Sequence, residues 1–132
     1  MAHAADFAQR LSEASLIYLT TYTSDGKPGT VPVWYAYHDG KLSITTMKTS
    51  KKVQKIRQNS LVRVAVGEEK TPKFLGAAKI IEDSEGFAKA LTRLSEKYNQ
   101  YWGTLTEEKL EQLRKDRVIL EIVVSLSELD QI

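Results

Sequence analysis

Five cations crowd one short connection of this chain. Lys48, Lys51, Lys52, Lys55 and Arg57 fall within ten residues, with no acidic residue among them. Ser50 precedes Val53 and Ile56, a pair at helical spacing, and is of the type that caps a helix N-terminus. That reading puts Lys51 and Lys52 in the first turn, where unpaired backbone N–H groups already make the helix end positive. A cation there costs roughly 0.3–1 kcal/mol. An anion at that end reverses the sign, because a serine hydroxyl, free N–H groups and a lysine can converge on it. Ser50, Lys51 and Lys52 are therefore a candidate phosphate site. The alternative is a solvated basic face on an exposed helix.

The flanking elements read as strands. Leu42 to Thr46 alternates Leu42, Ile44 and Thr46 against Ser43 and Thr45, and Leu61 to Val66 puts Val62, Val64 and Val66 on one face. Upstream, Leu16 to Thr23 is dense in β-branched and aromatic residues. Asp25-Gly26 and Asp39-Gly40 are the pairs that tight hairpin turns favour, since both central residues need positive φ. With Gly29 to Tyr37 between them, the three strands are expected to form an antiparallel meander. Pro32 cannot donate to a ladder, so it marks an edge, a bulge, or backbone facing something other than a strand. A functional version of the last option has Val31, Pro32, Val33 and Trp34 presenting backbone groups to a flat ligand. Management of an exposed edge is the commoner use of such a proline.

Downstream, Phe74 to Ile81 is a strand whose Gly76, Ala77 and Ala78 allow either a close approach or a sharp barrel bend. Phe87, Leu91, Leu94 and Tyr98 then mark the apolar stripe of a helix packed on a sheet. A short helix from Thr106 to Lys115 follows, with Leu105 and Leu110 as a possible staple. Arg117 to Ser125 is a final strand. With a helix over Ala4 to Ala14 as a lid, the fold class is mainly β with flanking helices: a six-stranded antiparallel barrel, expected to close, in one domain over residues 1–132.

Composition narrows the function classes. The 132 residues carry 19 basic and 17 acidic side chains, a net charge of +2, so the basicity is local and does not suit general coating of nucleic acid. The chain has no cysteine, which removes disulfides, thiolate metal sites and cysteine nucleophiles. No apolar run approaches the roughly 18 residues of a membrane span, and the N-terminus does not read as a signal peptide. Cytoplasmic location, with no membrane and no nucleic-acid partner, is the expectation.

The run Leu19 to Val66 resembles the pyridoxamine 5′-phosphate oxidase-like split β-barrel superfamily. It is most similar to the small flavin- and deazaflavin-dependent reductases. The features that carry this are a first strand ending in Asp25-Gly26, Pro32-Val33-Trp34 in the second strand, a strand ending in Thr46, and Ser50-Lys51-Lys52 opening a short helix. Ser60 stands where the family usually has a proline before the next strand. The resemblance implies an FMN-binding split barrel and a homodimer with two cofactor sites at the subunit interface. It places a cofactor phosphate on Thr45 or Thr46, Ser50 and Lys52, and the ring against the backbone of Val31 to Trp34. Partner-chain aromatics, Tyr101 or Trp102, would wall the ring.

A flavin-type ring carries its own redox chemistry, so the protein must bind, orient and shield it. That suits a chain whose two histidines, His3 and His38, stand in no ligand or triad constellation. The expected function is an oxidoreductase moving a hydride to or from a small organic substrate whose identity the sequence does not carry. The deazaflavin coenzyme F420 stands slightly ahead of FMN, because Lys48, Lys51, Lys55 and Arg57 exceed what one phosphate needs and would suit an anionic tail. The alternative is a non-catalytic module holding a flavin, haem or another tetrapyrrole.

Overall fold

A computed structural model describes residues 4–68, 70, 73–98 and 104–124. Its strands are β1 (Ile17–Tyr22), β2 (Pro28–Val33), β3 (Ala36–His38), β4 (Lys41–Met47), β5 (Leu61–Val66), β6 (Lys73–Ile81) and β7 (Arg117–Val123). The helices are α1 (Ala4–Glu13), α2 (Lys51–Gln58), α3 (Ser84–Lys97) and α4 (Glu107–Asp116). The strands form one antiparallel sheet in the order β2-β1-β5-β6-β7-β4-β3.

The two outermost strands of that order are consecutive in sequence, joined by Trp34 and Tyr35. The continuous second strand expected from Gly29 to Tyr37 is thus two strands: β2 pairs only with β1, and β3 pairs only with β4. The sheet therefore has seven strands where six were expected, and this break accounts for the extra one. The barrel is split rather than closed by a ladder, and the expected three-strand meander is two separate hairpins. The break has a side-chain cause. The Tyr35 N–H donates to the Tyr98 phenol at 2.9 Å, and the single phenol proton is shared between the Tyr35 carbonyl at 3.0 Å and the Ser15 carbonyl at 2.9 Å, so the Tyr35 backbone finds its partners without a neighbouring strand. Pro32 lies on the edge strand β2, opposite Tyr18.

Only one of the two Asp-Gly turns is of the expected kind. Asp39 and Gly40 both have positive φ, at 51° and 75°. In the first hairpin only Gly26 does, at 89°. There the Gly26 N–H bonds the Thr23 carbonyl and the Thr23 N–H bonds the Lys27 carbonyl, each at 3.0 Å. That is a three-residue loop ending in a left-handed glycine.

The strand β6 turns the corner between the two halves of the sheet. Its first part, to Ala77, pairs with β5, and Ala78 onward pairs with β7. A Cβ on Gly76 would lie 3.2 Å from Ile122 Cγ2, so the small residues serve both the bend and a close approach. The interior is filled from every strand and plugged by Val53 and Ile56 of α2 and Leu11 of α1. A second core forms where α3 lays Phe87, Ala90, Leu91 and Leu94 over Ala36 and Ile119 on the other face of β3 and β7. Each such fully buried leucine or phenylalanine contributes about 1.5–3 kcal/mol. Among the described residues no helix is long and apolar enough to cross a membrane.

Candidate functional site

Helix α2 begins as its sequence predicts. Ser50 is the N-cap, its hydroxyl accepting the Val53 N–H at 3.3 Å, and the first turn contains no acidic residue. The Thr46 hydroxyl lies 3.3 Å from the Ser50 hydroxyl, joining the end of β4 to the helix start. Thr45 Oγ1 donates to the Val118 carbonyl at 3.3 Å.

Beside this junction lies a cleft of about 220 Å³ lined by Val33, Trp34, Thr45, Thr46, Lys52, Leu94 and Arg117. Five of the nine residues expected at a cofactor site are in that lining. Ser50 reaches it through the Thr46 hydroxyl. Lys51 is exposed outside the lining, and Val31 and Pro32 lie exposed along β2 opposite Leu19 and Tyr18. Leu94 and Arg117 have no counterpart in the sequence reading. Arg117 heads β7 opposite Met47, one position beyond the Thr46–Val118 pair, so only the β4–β7 register brings its charge beside Lys52. Among the described residues the lining holds two cations, two hydroxyls and no carboxylate. Among the described residues neither Lys52 nor Arg117 has an ion-pair partner. Such a donor set is suited to an anionic group, and phosphate above all.

The other cations of α2 are partly engaged elsewhere. Arg57 pairs with Glu82 at 3.2 Å. Lys55 leans on the backbone of β2, where a Cβ on Gly29 would lie 2.6 Å from its Nζ. Lys48 and Lys51 remain exposed near the helix start.

The apolar wall is Trp34, 44% exposed, whose indole stacks on the Tyr98 ring with centroids 4.4 Å apart and planes 7° from parallel. Tyr98 also lies within hydrogen-bond distance of the Ser15 carbonyl, at 2.9 Å, which ties the wall to the end of α1. Burial raises the pKa of its phenol. Tyr35, fully buried, donates its hydroxyl to the Leu11 carbonyl; burial first, and then Tyr98, push that phenol up as well. The Lys97 ammonium sits 3.5 Å from the centre of the Tyr35 ring, and burial lowers its pKa to about 8.

Among the described residues the cleft lining has no histidine, aspartate or glutamate, and no cluster of His, Asp or Glu could hold a metal ion. His38 is half-exposed and bonded to Asp39 at 2.9 Å, away from the cleft. His3, Tyr101 and Trp102 lie outside the described residues.

Comparison with known proteins agrees with the architecture. A conserved hypothetical protein of Mycobacterium tuberculosis is 26% identical, with a TM-score of 0.78, covering 94% of this chain and 81% of the other. A protein described as an F420 reductase is 25% identical, with a TM-score of 0.66 and coverage of 89% and 91%. A FAD-binding protein of Mesorhizobium loti, 22% identical over 94% of this chain and 91% of its own with a TM-score of 0.69, shares the fold. No curated protein sequence matches. The sequence profile of pyridoxamine 5′-phosphate oxidase matches residues 4–128. With the profile spanning nearly all of its length, the chain belongs to the pyridoxamine 5′-phosphate oxidase family.

Proposed function

We propose that this chain is an oxidoreductase that holds a flavin-type cofactor, the deazaflavin F420 or FMN, in the Trp34–Arg117 cleft and moves a hydride between its ring and a small organic substrate. The observation that carries the reading is the meeting of Lys52 and Arg117 with the Thr45 and Thr46 hydroxyls, no carboxylate among them, beside a half-exposed indole. In this assignment Lys52, Arg117, Thr46 and the Ser50 hydroxyl hold the phosphate. Val31 to Trp34 set the plane of the ring. Lys51 serves as a peripheral charge. When bound, the ring would supply the hydride chemistry, and the lining residues would hold and orient it.

F420 keeps a narrow lead over FMN on the exposed charge of Lys48 and Lys51, reduced by the engagement of Lys55 and Arg57 elsewhere. The family likeness to a protein described as an F420 reductase supports the same order. We further propose a homodimer. Val31, Trp34 and Met47 are exposed apolar side chains at or near the cleft, and a second chain covering them would complete the ring site.

Turnover separates this enzyme from a module that only binds. Chemically reduced F420 or FMN, mixed with the protein and a panel of nitro, quinone and enone acceptors, is expected to be reoxidised faster than without protein. Binding of the cofactor with no acceleration across the panel would leave a carrier instead.

A further inference from the structure

A second cavity, of about 360 Å³, lies between α1, β3 and α3. Ala36 and Tyr37 give it an apolar wall, Leu11 in its lining being fully buried, and Arg93 and Lys97 line it from α3. These two cations stand four residues apart on one helical face, a spacing at which like charges repel. Among the described residues Arg93 makes no ion pair, and the Lys97 Nζ is a buried nitrogen with no hydrogen-bond partner. A buried ammonium without an acceptor is costly, and such a group calls for an explanation. The Tyr35 ring face compensates the charge in part but accepts none of the three N–H bonds in the normal way. Glu96 also lines the cavity, but it is exposed and pairs with neither cation. His38 is occupied by Asp39.

We propose that this cavity is a binding site for a small organic carboxylate, whose carboxyl group bridges Arg93 and Lys97 while its apolar body lies on Ala36 and Tyr37. The guanidinium offers a bidentate fork, and rotation of the lysyl stem brings the ammonium alongside it. The volume falls in the range of small-molecule sites, about 300–1,000 Å³. An apolar wall opposite two cations selects an organic acid over inorganic phosphate. The site is separate from the proposed cofactor cleft and does not depend on what that cleft binds.

Calorimetric titration of the intact protein with benzoate tests this, with benzamide as the neutral analogue and inorganic phosphate as the bare anion. Benzoate is expected to saturate one site per chain, with benzamide and phosphate each at least about tenfold weaker. Lys97→Met, which keeps the packed stem, and Arg93→Gln should each weaken benzoate by about tenfold or more. Lys52→Ala should leave benzoate affinity unchanged. The proposal is overturned if benzoate does not saturate, if benzamide binds as well, or if both variants at Arg93 and Lys97 bind like the parent. It is overturned equally if Lys52→Ala abolishes binding, since the acid would then occupy the cofactor cleft.

Discussion

Trp34 lies flat against Tyr98, and the same Tyr98 hydroxyl bonds the backbone of Tyr35 next door. One aromatic residue from the end of α3 thereby fixes both the plane of the cleft wall and the break that splits the barrel. A stacked pair of this kind is worth about 0.5–1.5 kcal/mol beyond its buried area. The hydrogen bonds add to that by satisfying groups that no strand can reach.

Tyr98→Phe keeps the stack and removes the phenol. The Tyr35 N–H, half-buried and without its acceptor, should cost about 1–3 kcal/mol, read as a lower midpoint in urea unfolding. Tyr98→Leu should lose the stack as well and be less stable than the phenylalanine variant. Equal stability of Tyr98→Phe and the parent would show that solvent replaces the phenol at no cost.

Lys52→Ala and Arg117→Ala each remove one cation from the cleft. Each should weaken FMN or F420 binding by about 1.5–3 kcal/mol, the scale of a hydrogen bond to a charged group. Affinity should also fall as salt rises. Unchanged dissociation constants in both variants would remove these side chains from the site.

Gly76 sits where β6 bends against β7. A Cβ there meets Ile122 Cγ2 at 3.2 Å and the Val123 carbonyl at 3.5 Å, so Gly76→Val must displace packed neighbours. Overpacking of this kind costs about 1–3 kcal/mol, measurable by thermal or urea unfolding.

Lys97 gives stability a pH dependence of definite sign. Burial lowers its native pKa from 10.5 to about 8, so between those values the unfolded chain holds a proton that the native state has released. Stability contributed by this group therefore rises with pH from about 8 to 10.5, and its full cost is present below that window. In Lys97→Met the rise should disappear. An identical pH profile for the two proteins between pH 8 and 10.5 would contradict the lowered pKa.

The legible part of this protein was its local part. Ser50, Lys52, Thr45 and Thr46 lie within one strand-to-helix connection, so a capping rule and a charge count were enough to group them. Arg117, Leu94 and Tyr98 reach the same place through strand register and helix docking, which no periodicity in their own segments encodes. The break at Trp34-Tyr35 was hidden for the same reason. Val31 to Tyr37 is one continuous apolar and aromatic run, and the partner that replaces the ladder is a phenol on a distant helix. The count is seven strands rather than the expected six because that break divides one of them into β2 and β3.

The central claim is that the cleft between Trp34 and Arg117 takes a phosphorylated redox ring. Titrating the purified protein separately with FMN and with F420, while following the visible absorbance of each, tests it most directly. The account predicts a saturable spectral shift at one cofactor per chain, lost with Lys52→Ala and Arg117→Ala combined. No shift with either compound, or a shift that survives removal of both cations, would contradict it.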